Sequence, residues 1–208
     1  PQAIMSMYDA KEMTSNYRTY DNDFIMGKQM PPLDGLTLIN ADTYPAPAAG
    51  DVTLVLFWSK FSKGTFKNVM PMYSQFRDEF KGQGLKVIGV NEDTNIKDCK
   101  AFLEDPKGKY SKLYRSEFCI AYDEKMTLHK ACVKLALNTL VIAQAFLVDK
   151  SGKIVWHQDH SQIGTIGGTF GVTAMRTAIT ATLAGNPVPS VGEKAPEASS
   201  DEESDEDG

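Results

Sequence analysis

The chain has 208 residues, 42% hydrophobic and 10% aromatic, a composition that supports one domain with a buried core. Its formal charge of −5 is uneven: residues 193–208 hold eight acids against one lysine, −7, which leaves +2 elsewhere and no basic footprint for nucleic acid. Three cysteines, Cys99, Cys119 and Cys132, with no CxxC, exclude a disulfide framework or a zinc ribbon, and no apolar run is long enough to span a membrane.

Residues 1–26 are rich in Met and Tyr without a clean period and read as an irregular or helical N-terminal extension. Asp9, Lys11 and Glu12 interrupt its apolar residues, so no signal peptide is expected there. Met30-Pro31-Pro32-Leu33-Asp34-Gly35 is a turn, residues 36–39 a short strand, and the Pro- and Ala-rich residues 45–51 a loop. The unbroken apolar run over 52–58 predicts a strand buried on both faces. A helix follows from about Lys63-Gly64-Thr65, with Val69, Met70, Tyr73, Phe76 and Phe80 on one face and Gly82 and Gly84 as its stop. Residues 85–90 predict a second buried strand, 91–95 a loop and cap, and 96–103 a helix ended by Pro106 and Gly108. A short extended piece at 118–121 and a helix over 126–134 come next. The β-prone residues 140–148, the turn Asp149-Lys150-Ser151-Gly152 and residues 153–157 predict a hairpin. A closing helix spans 172–183, and residues 186–208 form a Pro/Gly/Ser/acidic tail with no means of burying apolar area. Strands alternating with helices and ending in a hairpin and a helix make an α/β domain with a mixed sheet.

Four stretches in this order resemble the thioredoxin superfamily, and within it the redoxin branch of thiol-disulfide reductases and alkyl-hydroperoxide-reductase-like proteins. Gly27-Lys28-Gln29-Met30-Pro31 before Leu36-Thr37-Leu38 is similar to the branch's opening and first strand. Val55-Leu56-Phe57-Trp58-Ser59-Lys60-Phe61 is similar to the strand that delivers the active site, and Met70-Pro71 to the Met-Pro pair beyond it. Ala145-Phe146-Leu147-Val148-Asp149-Lys150-Ser151-Gly152-Lys153-Ile154 is similar to the late hairpin. The resemblance covers residues 27–185 and implies a single thioredoxin-like domain, a mixed central sheet flanked by helices.

It also implies where redox chemistry would sit. A family reductase carries a cysteine at the helix N-terminus, where the dipole and free N–H groups favour the thiolate, and a second cysteine three residues on. Here Ser62 and Thr65 occupy those positions, with one residue more than the family spacing before Pro71. The family's cis-proline before the late strand corresponds to Ala143, where a trans bond is expected because non-proline cis bonds are costly. The redox site is therefore read as degenerate.

Other residues carry chemistry on their own account. His129 and Cys132, three apart on a predicted helix, would share a face, so His129 could lower the Cys132 pKa; alternatively both simply pack or lie at the surface. Cys99 and Cys119 read as ordinary, Cys119 as a small hydrophobe in a strand. His157-Gln158-Asp159-His160 offers three metal-ligating types, but an extended backbone sends His157 and His160 to opposite faces, and a solvated strand end is the expectation. Lys60 and Lys63 beside Ser62 could bind an anion or merely be solvated. In the tail, Ser199, Ser200 and Ser204 each precede an acid by three residues, the pattern acidophilic kinases favour.

The sequence thus leads to a thioredoxin-like protein without a redox cysteine pair, serving as a protein-binding or structural module, with no metal or cofactor expected. An oxidoreductase using Cys132 as a single displaced thiol is the alternative, and a low-affinity calcium-responsive acidic protein a second. Free thiols and the lack of sequons suggest the cytoplasm or another reducing compartment.

Overall fold

A computed structural model describes residues 24–62, 64–105, 117–137, 140, 142–160 and 172–189. Six strands among these residues form one mixed sheet: β1 (Thr37–Leu38), β2 (Val52–Trp58), β3 (Leu85–Asn91), β4 (Cys119–Tyr122), β5 (Gln144–Val148) and β6 (Ile154–Asp159). Their spatial order is β1-β4-β3-β2-β5-β6. β2, β3 and β4 run parallel, while β5, β6 and β1 are antiparallel to their neighbours. The helices are α1 (Met70–Phe80), α2 (Ile96–Glu104), α3 (Thr127–Ala136) and α4 (Val172–Leu183). Among the described residues no helix is long and apolar enough to cross a membrane.

The apolar run of β2 is buried at every position, as a central strand with both faces covered requires. Alternation then divides it. Leu54, Leu56 and Trp58 join a core with Phe66, Tyr73, Phe76 and Ile179, under α1 and α4. Val55 and Phe57 face the other core with Ile88, Phe146, Leu128 and Cys132, under α3 and the loop residues Leu33 and Leu36. The sheet between these layers positions everything at its ends.

Several boundaries move from their predicted places. Ahead of α1, residues Thr65–Val69 form a π-helical turn, which holds more residues per turn than an α-helix and so accommodates the extra residue before Pro71. Pro71 then sits in the first turn of α1, where a missing N–H costs nothing. The predicted cap at Asn95 is present: its side chain accepts the Lys97 N–H at 2.9 Å. β5 begins at Gln144 rather than 140, since Leu140 packs with α3 instead. The Ile142–Ala143 peptide is cis, contrary to the sequence expectation. At this position, where the resemblance places a reductase's proline, the Ala143 carbonyl accepts the His160 N–H at 2.8 Å. β6 runs two residues past its predicted end because 158 and 159 still pair with β5. At the hairpin, Gly152 has φ 84°, and Asp149 Oδ1 accepts three N–H and O–H donors from Ser151 and Lys153.

Gly89, in the middle of β3, shows how tightly the first core closes. A Cβ there would lie 2.8 Å from the Phe118 ring, 2.9 Å from Ile120 Cδ1 and 3.2 Å from Trp58 Nε1. Gly89→Ala is expected to destabilise the protein by about 1–3 kcal/mol through overpacking, measured as a lower denaturation midpoint at unchanged m-value.

Candidate functional site at the C-terminal end of the sheet

The central strands β2 and β3 end together, at Trp58 and Asn91. Beyond them the chain makes two turns that lock to each other through Asp93. Its carboxylate accepts the Ser59 hydroxyl at 2.5 Å, the Lys60 N–H at 3.2 Å and the Asn91 side-chain N–H at 2.9 Å. The Phe61 N–H in turn donates to Ser59 Oγ at 3.2 Å, and the Ser62 N–H to the Ser59 carbonyl at 3.1 Å. Lys60 does not serve an anion site: its Nζ pairs with Asp98 at 3.1 Å and lies 5.0 Å from the Phe61 ring centroid. Lys63 lies outside the described residues. The outcome is a fixed turn that exposes one large aromatic, Phe61, at 74% of its surface.

Ser62 and Thr65 meet at the head of the helix. Their hydroxyls are hydrogen-bonded at 2.6 Å, Ser62 partly exposed and Thr65 2% exposed. The positions at which the resemblance places a redox pair are thus adjacent in space, filled by two hydroxyls. Ala143, buried, lies on the neighbouring β5 side of this end.

His129 and Cys132 share one face of α3, but they do not form a nucleophile pair. The His129 Nδ1 bonds Glu92 Oε1 at 2.5 Å, its ring also bonds the Leu140 backbone, and it meets Phe57 edge-on at 5.6 Å. The Glu92 hydrogen bond raises the His129 pKa above 6.5 against the opposing effect of burial, while burial raises that of Glu92. Cys132 is wholly buried, and burial pushes its thiol up to about 12; Cys99 and Cys119 are buried as well, at about 12 and about 11. The expectation that His129 lowers the Cys132 pKa is therefore corrected. The partner of the imidazole is a carboxylate, and the thiol sits in an apolar layer.

The start of α3 was not legible. Lys125 and Met126 adopt left-handed φ values of 66° and 55°, which non-glycine residues visit at a cost of about 1–2 kcal/mol each. Asp123 holds this turn, its carboxylate accepting the N–H groups of Thr127, Leu128 and His129 at 2.8, 2.9 and 3.1 Å.

The segment His157-Gln158-Asp159-His160 is not a solvated strand end. Its alternation is as expected, but both faces are covered. His157 stacks on Phe146 at 4.6 Å and bonds Gln144 Oε1 at 2.5 Å. His160 bonds the Tyr73 hydroxyl at 2.8 Å across the other face, and its Nδ1 has no partner among the described residues. Among those residues no group of three or more His, Cys, Asp or Glu is arranged to hold a metal ion. Burial lowers the His160 pKa to about 3 and raises that of Tyr73, so the pair is neutral at pH 7. Ser199, Ser200 and Ser204 lie outside the described residues.

The model of the AhpC/TSA family matches residues 26–157, more than half of the chain. The chain belongs to the AhpC/TSA family. Among solved structures, this family member is similar to an uncharacterised conserved protein from Geobacillus kaustophilus, at 20% identity and TM-score 0.59 over 84% of this chain and 95% of that one. It is also similar to a candidate thiol:disulfide interchange protein, DsbE, from Chlorobium tepidum, at 20% identity and TM-score 0.53 over 76% and 97%. A hypothetical protein from Sinorhizobium meliloti matches at 19% identity and TM-score 0.54 over 79% and 87%. No curated protein matches. These likenesses establish the thioredoxin-like fold of this AhpC/TSA-family domain.

The neutral His160 gives a pH prediction with a definite sign. A base whose folded pKa lies below its unfolded value near 6.5 withdraws stability as pH falls from about 6.5 towards 3, at up to about 1.4 kcal/mol per unit. His160→Asn is expected to lower stability at neutral pH yet flatten this acid limb. Urea unfolding of both proteins across that range measures it, and the raised Glu92, which contributes the opposite slope above 4.5, cancels in the difference.

Proposed function

We propose that this AhpC/TSA-family protein is a non-catalytic, protein-binding member of the redoxin group. The observation that carries the reading is the Ser62–Thr65 hydroxyl pair, 2.6 Å apart where the resemblance places the redox cysteines. Alkyl hydroxyls have no thiolate to offer and cannot attack a disulfide. The three thiols present stand in buried positions with raised pKa values, away from the chemistry a reductase needs. Supporting the binding role, Phe61 is presented on a turn already fixed by Asp93 and Lys60. An aromatic that loses little freedom on contact is a good anchor for a partner protein. The acidic tail offers a second contact, for a basic partner surface, and one adjustable by phosphorylation at Ser199, Ser200 or Ser204. The alternative that Cys132 acts as a single redox thiol is disfavoured by its full burial.

Reinstating the thiols tests the reading. The wild-type protein is expected to leave insulin disulfides intact, with dithiothreitol as reductant, at the rate of buffer alone. Ser62→Cys/Thr65→Cys should form an internal disulfide on oxidation and accelerate insulin reduction, with a thiol at 62 that titrates below the ordinary value of about 8.5. Wild-type turnover that disappears in Cys132→Ser would overturn the proposal.

A further inference from the structure

At the far end of the sheet from Ser62, about 20 Å away along the seven residues of β2, the molecule has a second feature that the redoxin reading does not use. The sheet face of Ile88 and Val148 must be covered along its whole length. The helix on that face, α3, has only ten residues, about 15 Å, and packs Leu128, Cys132 and Ala136 against it. The remainder is covered by the connection between residues 30 and 51, in which Pro31, Pro32, Ala46, Pro47, Ala48 and Ala49 are too small or too rigid to fill the space. A cavity of about 430 Å³ is left between that loop and the sheet.

Its composition is specific. Leu33, Leu36, Ile88 and Val148 give it an apolar floor, and Leu38 lines it while remaining 45% exposed. Three of the lining residues carry carboxylates, Asp34, Asp51 and Asp149, and among the described residues lining it there is neither Lys nor Arg. Asp51 is held within the loop by the Ala48 N–H at 2.9 Å, and Asp149 within the β5–β6 turn by the Ser151 N–H at 2.8 Å, with the Lys153 charge acting on it from the same turn. An apolar chamber bordered by three carboxylates, two of them held by backbone hydrogen bonds, selects a ligand with an apolar body and a cationic end. A neutral analogue loses the charge attraction, and an anionic one meets repulsion from each carboxylate.

We infer that this cavity is a binding site for a small molecule with an apolar body and one protonated amine. It is independent of the proposed protein-binding face, so neither reading depends on the other.

Three probes of similar body and different charge test it on the full-length protein: phenethylammonium, phenethyl alcohol and phenylacetate, titrated at low salt by NMR with methyl labelling. The ammonium is expected to shift the methyl signals of Leu33, Leu36, Ile88 and Val148 and to bind about tenfold or more tightly than the alcohol, with phenylacetate showing no saturation. Its affinity should fall as salt is raised through the range where the Debye length shrinks from about 30 Å to about 10 Å. Leu38→Arg, at a position already nearly half exposed, should place a cation among the carboxylates and reduce ammonium binding about tenfold or more. Equal binding of ammonium and alcohol overturns the inference, as does absence of binding by all three or saturation that maps to other methyls. The wild-type series decides the matter even if Leu38→Arg fails to fold.

Discussion

Asp93 organises the end of the sheet where the site lies. Buried at the end of β3, its carboxylate gathers the Ser59 hydroxyl, the Lys60 N–H and the Asn91 amide, while its own N–H donates to Asn91 Oδ1 at 3.1 Å. A buried carboxylate is tolerated only when its oxygens are satisfied, and these donors come from the turn after β2 and from Asn91 at the end of β3, strands that pair in parallel. The turn after β2 is thus tied to the turn after β3. Everything exposed there, Phe61 above all, inherits its position from that tie.

Around it the molecule places other ionisable groups in layers where their environments differ. On one face His129 gives its proton-bearing ring to Glu92, and that hydrogen bond favours the charged form despite burial. On the other face the His160 ring bonds the Tyr73 hydroxyl, and burial, outweighing the nearby Asp159 charge, keeps it neutral. The same residue type is thus shifted in opposite directions on the two faces of the sheet, His129 upward and His160 downward. The thiols follow the second logic: burial is the largest effect at all three and raises each pKa. Asp93 adds to it at Cys99, and Glu92 and Asp123 at Cys132, while Lys100 and Lys60 only partly oppose it at Cys99. Packing and hydrogen bonding hold the thioredoxin-like scaffold, and its three buried cysteines are free thiols.

Much of this was readable from the chain. The β2 run over 52–58 and the α4 segment over 172–183 come out at their predicted bounds because continuous burial and helical period leave strong local signals. Ser62 and Thr65 were located by motif order alone, and their adjacency follows from the helix turn they share. What escaped was non-local. Nothing near His160 in sequence announces Tyr73, 87 residues away, and nothing near His129 announces Glu92, 37 residues away. The left-handed pair Lys125 and Met126 carries no glycine to mark it, since Asp123 supplies the compensation through three N–H groups. The cis bond before Ala143 has no proline to signal it, and the cavity beneath residues 30–51 arises from what the loop fails to fill.

The central claim is that the fold here stands apart from thiol chemistry, and the native reactivity of its own cysteines tests it most directly. The protein would be treated with a thiol reagent from pH 5 to 9 and the modified residues located by mass spectrometry, with an unfolded control in which thiols titrate near 8.5. The account predicts that Cys99, Cys119 and Cys132 stay unmodified in the native state over that range and react together on unfolding. Selective modification of one of them as a thiolate below pH 7, in protein that remains folded, would contradict it.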